Sequence, residues 1–346
     1  MRLELARRTL RLRTPLQSSY GEVAERELVI VRLTGEDGVS GFGEAAPLQP
    51  YDGVPTGRVV RALERYARAL AASGELSGAR VLEVCRAQAD EPAALAAIDL
   101  ALWDRAGRRA GRPVAELLSD APARAVRVNA TLTASDRAGA AEQAARAVAA
   151  GFSCVKLKVG VGDDAGRVAA VRAAAGPHAA LRIDANGAWS VEQAVAAIRT
   201  LEPAGLELVE EPTHGLVGVR SVRERVTARV AIDETAAQPG ALAGGAADAV
   251  CLKISRCGGI SGLLAAAALV RASGAEPYLA STLDGPLGVA AALHAAAALA
   301  SRGPLPHCGL ATIELFEGLR DPLPAHEGAI ALPGAPGLGV EPDWQD

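Results

Sequence analysis

Residues 155–158 read Val-Lys-Leu-Lys, 181–184 Leu-Arg-Ile-Asp, 208–210 Leu-Val-Glu, 230–233 Val-Ala-Ile-Asp and 250–253 Val-Cys-Leu-Lys. Each is a short apolar run that stops on a charge: Lys158, Asp184, Glu210, Asp233 and Lys253. The runs recur at intervals of about 20 to 26 residues, the length of one strand–helix unit. Their apolar positions are largely unbroken by polar ones, as in strands buried on both faces of a parallel sheet. A parallel barrel gathers the C-terminal ends of its strands on one face, so the five charges would meet there.

The same grammar runs outward from this stretch. Residues 126–132 predict a first strand and 135–150 its helix; 154–158 is the second strand, followed by a helix over 164–174. Residues 181–184 are the third strand, and the next helix opens with a capping box, Ser190 and Gln193. Strands follow over 206–210, 229–233, 249–253 and 276–280, then a helix from Leu287 and an eighth strand over 305–309. Eight units in line predict a closed (β/α)8-type barrel, a modified TIM barrel, rather than an open doubly wound sheet. No G-x-G-x-x-G follows the first strand, which weakens a dinucleotide-binding reading. Upstream, Glu27–Leu33, the turn Gly35–Gly38 and Gly41–Glu44 read as antiparallel strands. Helical patterns over 57–72 and 92–106, the second ended by Gly107, Gly111 and Pro113, complete an α+β module. The division predicted is 1–122 for that module, 123–312 for the barrel with the active site, and 313–346 for a turn-rich segment packing back on the module.

Half of the 346 residues are hydrophobic and 3% aromatic, so Ala, Val and Leu fill a large core. The net charge of −4 comes without a basic run, which argues against nucleic acid as a partner. The N-terminal stretch has no apolar segment of signal-peptide type. The Ala-rich stretch 287–300 is too short to span a membrane and contains His294. Cys85, Cys154, Cys251, Cys257 and Cys308 are odd in number and scattered, the pattern of buried reduced thiols in a cytoplasmic protein.

Asp184, Glu210 and Asp233 offer hard oxygen ligands from three neighbouring strands. An all-carboxylate set suits Mg2+, with Mn2+ as a substitute, and disfavours zinc. A zinc hydrolase would need a histidine cluster, and His178, His214, His294, His307 and His326 stand apart. Lys158 and Lys253 flank the triad. Lys156 and Lys158 share one face of their strand, and two ammonium groups beside a divalent cation favour loss of a proton, which would make Lys158 a base.

The set Lys156-Leu157-Lys158, Asp184-Ala185-Asn186, Glu210-Glu211-Pro212, Asp233-Glu234 and Lys253 resembles the muconate-lactonizing-enzyme subgroup of the enolase superfamily. The resemblance covers nearly the whole chain, including Gly41-Phe42-Gly43-Glu44-Ala45 and Ala101-Leu102-Trp103-Asp104 of the family's capping domain. It implies a magnesium-dependent lyase or isomerase that takes the α-proton of a carboxylate substrate and leaves a metal-stabilised enediolate. Asp184, Glu210 and Asp233 would bind the metal, and Lys158 and Lys253 would flank the α-carbon. Lys156, Asn186, Glu211 and Glu234 would support them. Specificity in the family comes from capping-domain loops and the last two strands, here Tyr20, Tyr51, Ser281, Thr282, Asp284 and Gly309. The resemblance also implies a homo-oligomer acting on a small carboxylate, with no membrane partner.

Four outcomes share this machinery: dehydration to o-succinylbenzoate, racemisation of N-succinylamino acids, dipeptide epimerisation and muconate cycloisomerisation. Dipeptide epimerases carry Asp-x-Asp at the eighth strand, where this chain reads Cys308-Gly309-Leu310-Ala311-Thr312, although Asp284 offers another acid for an amine. Val128-Asn129-Ala130-Thr131, that same eighth-strand stretch and Ser281-Thr282-Leu283-Asp284 resemble o-succinylbenzoate synthases. The capping-domain motif Gly43–Leu48 looks more like epimerases and cycloisomerases. The expected reaction is therefore that of an o-succinylbenzoate synthase or N-succinylamino-acid racemase, with Ala-Glu-type dipeptide epimerase and muconate cycloisomerase as alternatives. A catalytically silent barrel is the non-enzymatic alternative, and it would usually have lost one of the five charges.

Overall fold

A computed structural model describes residues 1–18, 21–74, 76–160, 162–342 and 344. Strands β1 (Arg2–Ser18), β2 (Gly21–Thr34) and β3 (Ser40–Ala45) form an antiparallel sheet in that order. Helices α1 (Gln49–Asp52), α2 (Thr56–Ala71), α3 (Gly78–Gln88), α4 (Pro92–Ala110) and α5 (Val114–Leu118) follow. Val29, Val31 and Leu33 alternate along β2 onto one buried face. They pack there with Leu63, Tyr66 and Leu70 of α2 and Ala97, Ile98 and Ala101 of α4.

β3 reads Ser-Gly-Phe-Gly-Glu-Ala because α4 crosses it at backbone contact. A Cβ at Gly43 would lie 1.9 Å from the Ala97 carbonyl oxygen, and one at Gly41 2.1 Å from that of Ala101. Main chain cannot turn aside as a side chain does, so Gly43→Ala should cost about 3 kcal/mol of stability. The shift of the denaturant midpoint measures it, and an unshifted midpoint would refute the close contact.

The second unit runs β4 (Ala125–Arg127), β5 (Ala130–Leu132), α6 (Arg137–Ala149), β6 (Cys154–Lys158), α7 (Asp164–Ala175), β7 (Ala180–Asp184), α8 (Val191–Leu201) and β8 (Leu206–Glu210). It continues with α9 (Leu216–Arg223), β9 (Val230–Ile232), β10 (Ala249–Leu252), α10 (Ile260–Ala272), β11 (Glu276–Leu279) and α11 (Pro286–Ala300). Strands β5 to β11 lie in sequence order in one curled parallel sheet. Leu208, Ala231, Ala249, Cys251, Tyr278 and Ala280 fill its inside, while the larger core lies between sheet and helices. The capping box at Ser190 and Gln193 is formed.

Three expectations need correction. The single first strand over 126–132 is two: β4 pairs with a strand of the tail, and only β5 joins the parallel sheet. Between them the chain changes partners, Val128 N donating to Gly328 O and Asn129 N to Cys308 O. The unit after β9 has a short 3-10 turn, Glu234–Ala237, where a helix is expected. The eighth strand is reduced to parallel one-residue bridges, Ala280 with Gly309 and Val128 with Cys308. Pro304 and Pro306 precede them, and proline has no N–H for a ladder.

The tail strands β12 (Ala325–His326) and β13 (Ala329–Ala331) extend β4 antiparallel. Phe316 bridges to Leu12, Leu338 N donates to Asp104 Oδ1 (2.7 Å), and Trp344 packs 5.8 Å from Phe42, ring centre to ring centre. The cysteines are free, with Cys257 half-buried and the other four buried. Among the described residues no helix is long and apolar enough to cross a membrane.

Candidate active site

The parallel register brings the charges together. Lys158 is level with Asp184 and Asp184 with Glu210, while Asp233 and Lys253 each follow the last residue of their strand. Asp184, Glu210 and Asp233 are 0%, 1% and 2% exposed, and Lys253 is 7% exposed. Carboxylates so deep need compensation, and three lysines provide it. Lys156 Nζ lies 2.6 Å from Glu210 Oε1 and 2.9 Å from Asp184 Oδ2. Lys158 Nζ donates to Asp184 Oδ2 (2.6 Å) and Asn186 Oδ1 (2.7 Å), and Lys253 Nζ is 3.0 Å from Asp233 Oδ2.

Burial opposes ionisation of Asp184, but the Lys156 and Lys158 ammonium groups overcome it and hold its carboxyl well below the usual range. Burial, and then Asp184 and Asp233, push the Glu210 carboxyl up against the pull of Lys156. Burial likewise disfavours the charge on Lys156, yet Asp184 and Glu210 outweigh it and raise its pKa. Side-by-side ammonium groups are expected to ease proton loss; here the carboxylates hold Lys156 firmly charged. On Lys253, Asp233 and its neighbours also outweigh burial.

The donor set fits a hard divalent cation. Donor atoms of Glu210, Asp233 and Cys251 lie within 4.8 Å of one another, and Asp184 shares the Lys156 ammonium with Glu210. Cys251 is an addition to the expected triad. Burial and then Asp233 push its thiol up, and a hard cation prefers the carboxylate oxygens to sulfur. The signal for Cys251 is its place two residues before Lys253, on the same strand face.

Asn186 and Glu211 hold left-handed backbone, φ 45° and 40°, which non-glycine residues seldom adopt. Glu211 Oε2 accepts from Asp233 N (2.8 Å), and its Oε1 accepts from Thr235 N (3.0 Å), so it shapes the turn that carries Asp233. Asn186 Nδ2 donates to Glu234 Oε1 (2.9 Å). Burial, then Asp233 and Asp184, raise the Glu234 carboxyl to about 8. Tyr51 OH donates to Asp233 Oδ1 (2.6 Å) and accepts from Arg256 Nη1 (2.5 Å). Tyr278 OH donates to Glu210 Oε2 (2.6 Å). Arg256 and Tyr278 are neighbours of this cluster that spacing does not reveal, because neither closes an apolar run.

A cavity of about 70 Å³ opens over Lys156, Lys158, Asp184, Asp233 and Lys253. Leu16, Leu48 and Tyr51 of the N-terminal unit cover it, and Tyr51, Asp233 and Lys253 also border a larger cavity of about 700 Å³. Of the expected specificity residues, Tyr51, Ser281, Thr282 and Gly309 line the smaller cavity. Asp284 does not: its Oδ2 accepts from Thr282 N, and its Cβ lies toward Gly288 and Glu44. Tyr20 lies outside the described residues. Asn129 and Thr312, which spacing does not single out, also line the cavity. Asn129 Nδ2, Thr282 Oγ1 and Thr312 Oγ1 are buried there without a hydrogen-bond partner.

Comparison with known proteins finds relatives along nearly the whole chain. Residues 2–119 match the profile of the mandelate racemase / muconate lactonizing enzyme N-terminal domain, and residues 139–346 match the enolase C-terminal domain-like profile. The L-Ala-D/L-Glu epimerase of Bacillus subtilis is 29% identical, covering 98% of this chain and 96% of that protein. Muconate cycloisomerase 1 of Rhodococcus opacus is 33% identical, covering 94% of this chain and 91% of that protein. The structure of a dipeptide epimerase from Enterococcus faecalis complexed with Mg and L-Leu-L-Tyr is similar at a TM-score of 0.88 and 28% identity, covering 98% of both chains. That of an N-succinyl Arg/Lys racemase from Bacillus cereus is similar at a TM-score of 0.90 and 26% identity, covering 98% of this chain and 94% of the other.

Proposed function

The chain belongs to the mandelate racemase / muconate lactonizing enzyme family of the enolase superfamily, and from that membership we propose that it removes the α-proton of an N-acylated amino acid or similar succinyl-bearing carboxylate. Family members of this kind are isomerases and lyases, and this chain is an enzyme of that type. N-succinylamino-acid racemisation and o-succinylbenzoate formation by dehydration both begin with this step.

One observation carries the choice of substrate. Besides its carboxylates, the cavity lining offers Asn129 Nδ2, Thr282 Oγ1 and Thr312 Oγ1, uncharged groups without partners, and the Gly309–Thr312 stretch has no acid. Such a wall suits the carbonyl oxygens of an acyl group. It gives a free ammonium nothing to pair with, and an unpaired buried charge is costly.

In this reading Asp184, Glu210 and Asp233 would hold Mg2+, with Mn2+ as a substitute, and the ion would supply positive charge to offset that of the substrate carboxylate. Lys158 takes the α-proton. Lys253 stands on the opposite side, delivering a proton to the other face in racemisation or remaining charged in dehydration. Tyr51 closes the site from the N-terminal unit. The units are taken as residues 1–122, 123–312 and 313–346, with the Cys308–Gly309 bridges counted as the eighth member of a modified (β/α)8 barrel.

Dipeptide epimerisation is the second reading, favoured by the Bacillus subtilis relative. A screen in D2O with Mg2+ separates the two, using N-succinyl amino acids, dipeptides and the o-succinylbenzoate precursor, followed by NMR of the α-proton. N-succinyl amino acids should exchange about 10²-fold faster than dipeptides. Faster exchange of the dipeptides would overturn the N-acyl assignment. Dehydration of the precursor without racemase activity would assign the chain to the synthase side.

A further inference from the structure

Helices α10 and α11 have glycine N-caps, Gly259 and Gly285, with no capping side chain of their own, whereas α6, α7 and α8 are capped by Asp136, Asp163 and Ser190. Carboxylates of the N-terminal unit reach the two bare ends instead. Asp99 on α4 accepts from Ser261 N (3.1 Å) and Ser261 Oγ (2.6 Å) at the start of α10. Glu44 on β3 accepts from Gly285 N through Oε1 (2.7 Å) at the start of α11. A Cβ at Gly259 would stand 2.4 Å from Asp99 Oδ2, and one at Gly285 2.6 Å from Glu44 Oε2. Glycine is what lets a carboxylate from elsewhere in the chain approach the unpaired N–H groups of a helix start.

The Glu44 contact differs in what it touches. Just before α11 runs the segment 281–284, three of whose residues, Ser281, Thr282 and Leu283, wall the reaction cavity. Leu283 sits at φ 57°, a conformation that only its surroundings can hold. Arg26, 2% exposed, donates to the Leu283, Ala46 and Pro47 carbonyls and ties the same segment to β2. Glu44 and Asp284 are 3% and 1% exposed, and Glu44 Oε2 and Asp284 Oδ1 are both without partners.

We propose that Glu44 is a positioning residue for the reaction cavity, fixing its Ser281–Asp284 wall by capping α11 across the junction between the two units. Two buried carboxylates this close do not both ionise readily. Burial first, then the charge of Asp284, push the Glu44 carboxyl up to about 8, and burial also raises Asp284. The cations facing the pair are Arg26 of β2 and Lys253 beyond β10. Arg26 favours the ionised form of both carboxyls, and Lys253 favours that of Asp284. Because the folded-state value of Glu44 lies above that of the unfolded chain, the stability it contributes is complete below about pH 4 and is lost as pH rises through 8. The wall therefore loosens in mild alkali.

Hydrogen–deuterium exchange over residues 281–288, without substrate, tests this at about pH 6.5 and pH 9. Wild type should lose about ten-fold protection between the two, after correction for intrinsic exchange. Glu44→Gln, which keeps the acceptor and mimics the protonated acid, should hold protection at both values, and Glu44→Ala should lack it at both. On the substrate found by the screen, KM should rise with pH in wild type and stay flat in Glu44→Gln, with kcat moving less. A uniform loss of stability in both variants, with an unchanged pH dependence, would reduce Glu44 to a structural residue and overturn the proposal. Should Glu44→Ala fail to fold, Glu44→Gln against wild type decides alone. Only the kinetic arm rests on reading the cavity as the reaction site, so absence of turnover would count against that reading and leave the exchange arm to judge Glu44.

Discussion

Lys158→Ala should remove turnover, with kcat falling by about 10³-fold or more, since a positioned acid/base group contributes on that scale. The substitution deletes the amine that bonds both Asp184 Oδ2 (2.6 Å) and Asn186 Oδ1 (2.7 Å). The fold should survive it. Asp184 keeps the Lys156 ammonium at 2.9 Å, and the Lys158 side chain is 15% exposed and borders the cavity. A melting temperature close to wild type beside lost turnover would separate chemistry from folding. Lys253→Ala provides the internal comparison. In a two-base racemase it should still permit exchange of the α-proton facing Lys158 while blocking racemisation. Wild-type turnover in Lys158→Ala would show that another group is the base.

The five charges were legible because two coarse signals coincide. A short apolar run ending in a charge marks a strand end, and even spacing puts successive ends side by side, so Lys158, Asp184 and Glu210 are level in the sheet. Alternation alone then implies Lys156 and Cys251. What local pattern could not supply depends on distant segments meeting. Glu44 reaches Gly285 across 241 residues, and Asp99 reaches Ser261 across 162. Asp284 looks like a cavity acid in sequence, but the left-handed turn at Leu283 carries it toward Glu44. The eighth strand misled for a different reason: apolar content around Leu305 suggested a ladder that Pro304 and Pro306 cannot donate to. Tyr51 is intermediate, since the family resemblance points to its loop while its bond to Asp233 depends on the fold.

Asp184→Asn should abolish metal-dependent behaviour and weaken the fold together. Asp184 is fully buried and accepts from Lys156, from Lys158 and, through Oδ1, from Asn186 N (3.0 Å). An asparagine can keep the Asn186 bond, but its amide nitrogen would then face two ammonium groups. Lys156 would retain only Glu210, and removing one partner of a buried ionic set costs about 3–5 kcal/mol. The wild-type carboxyl is held below its ordinary range, so its contribution is present above the unfolded value of about 3.9 and fades as pH falls below that. The variant should therefore be less stable than wild type at neutral pH, and the two should converge in acid. Mg2+ gives an independent reading. Wild type at 100 times its dissociation constant should gain about 2.7 kcal/mol, seen as a rise in melting temperature. The variant should gain almost nothing over the same titration, whatever the substrate proves to be. An equal Mg2+-dependent rise in both proteins would place the cation elsewhere, with Glu210, Asp233 and Cys251 as the alternative set.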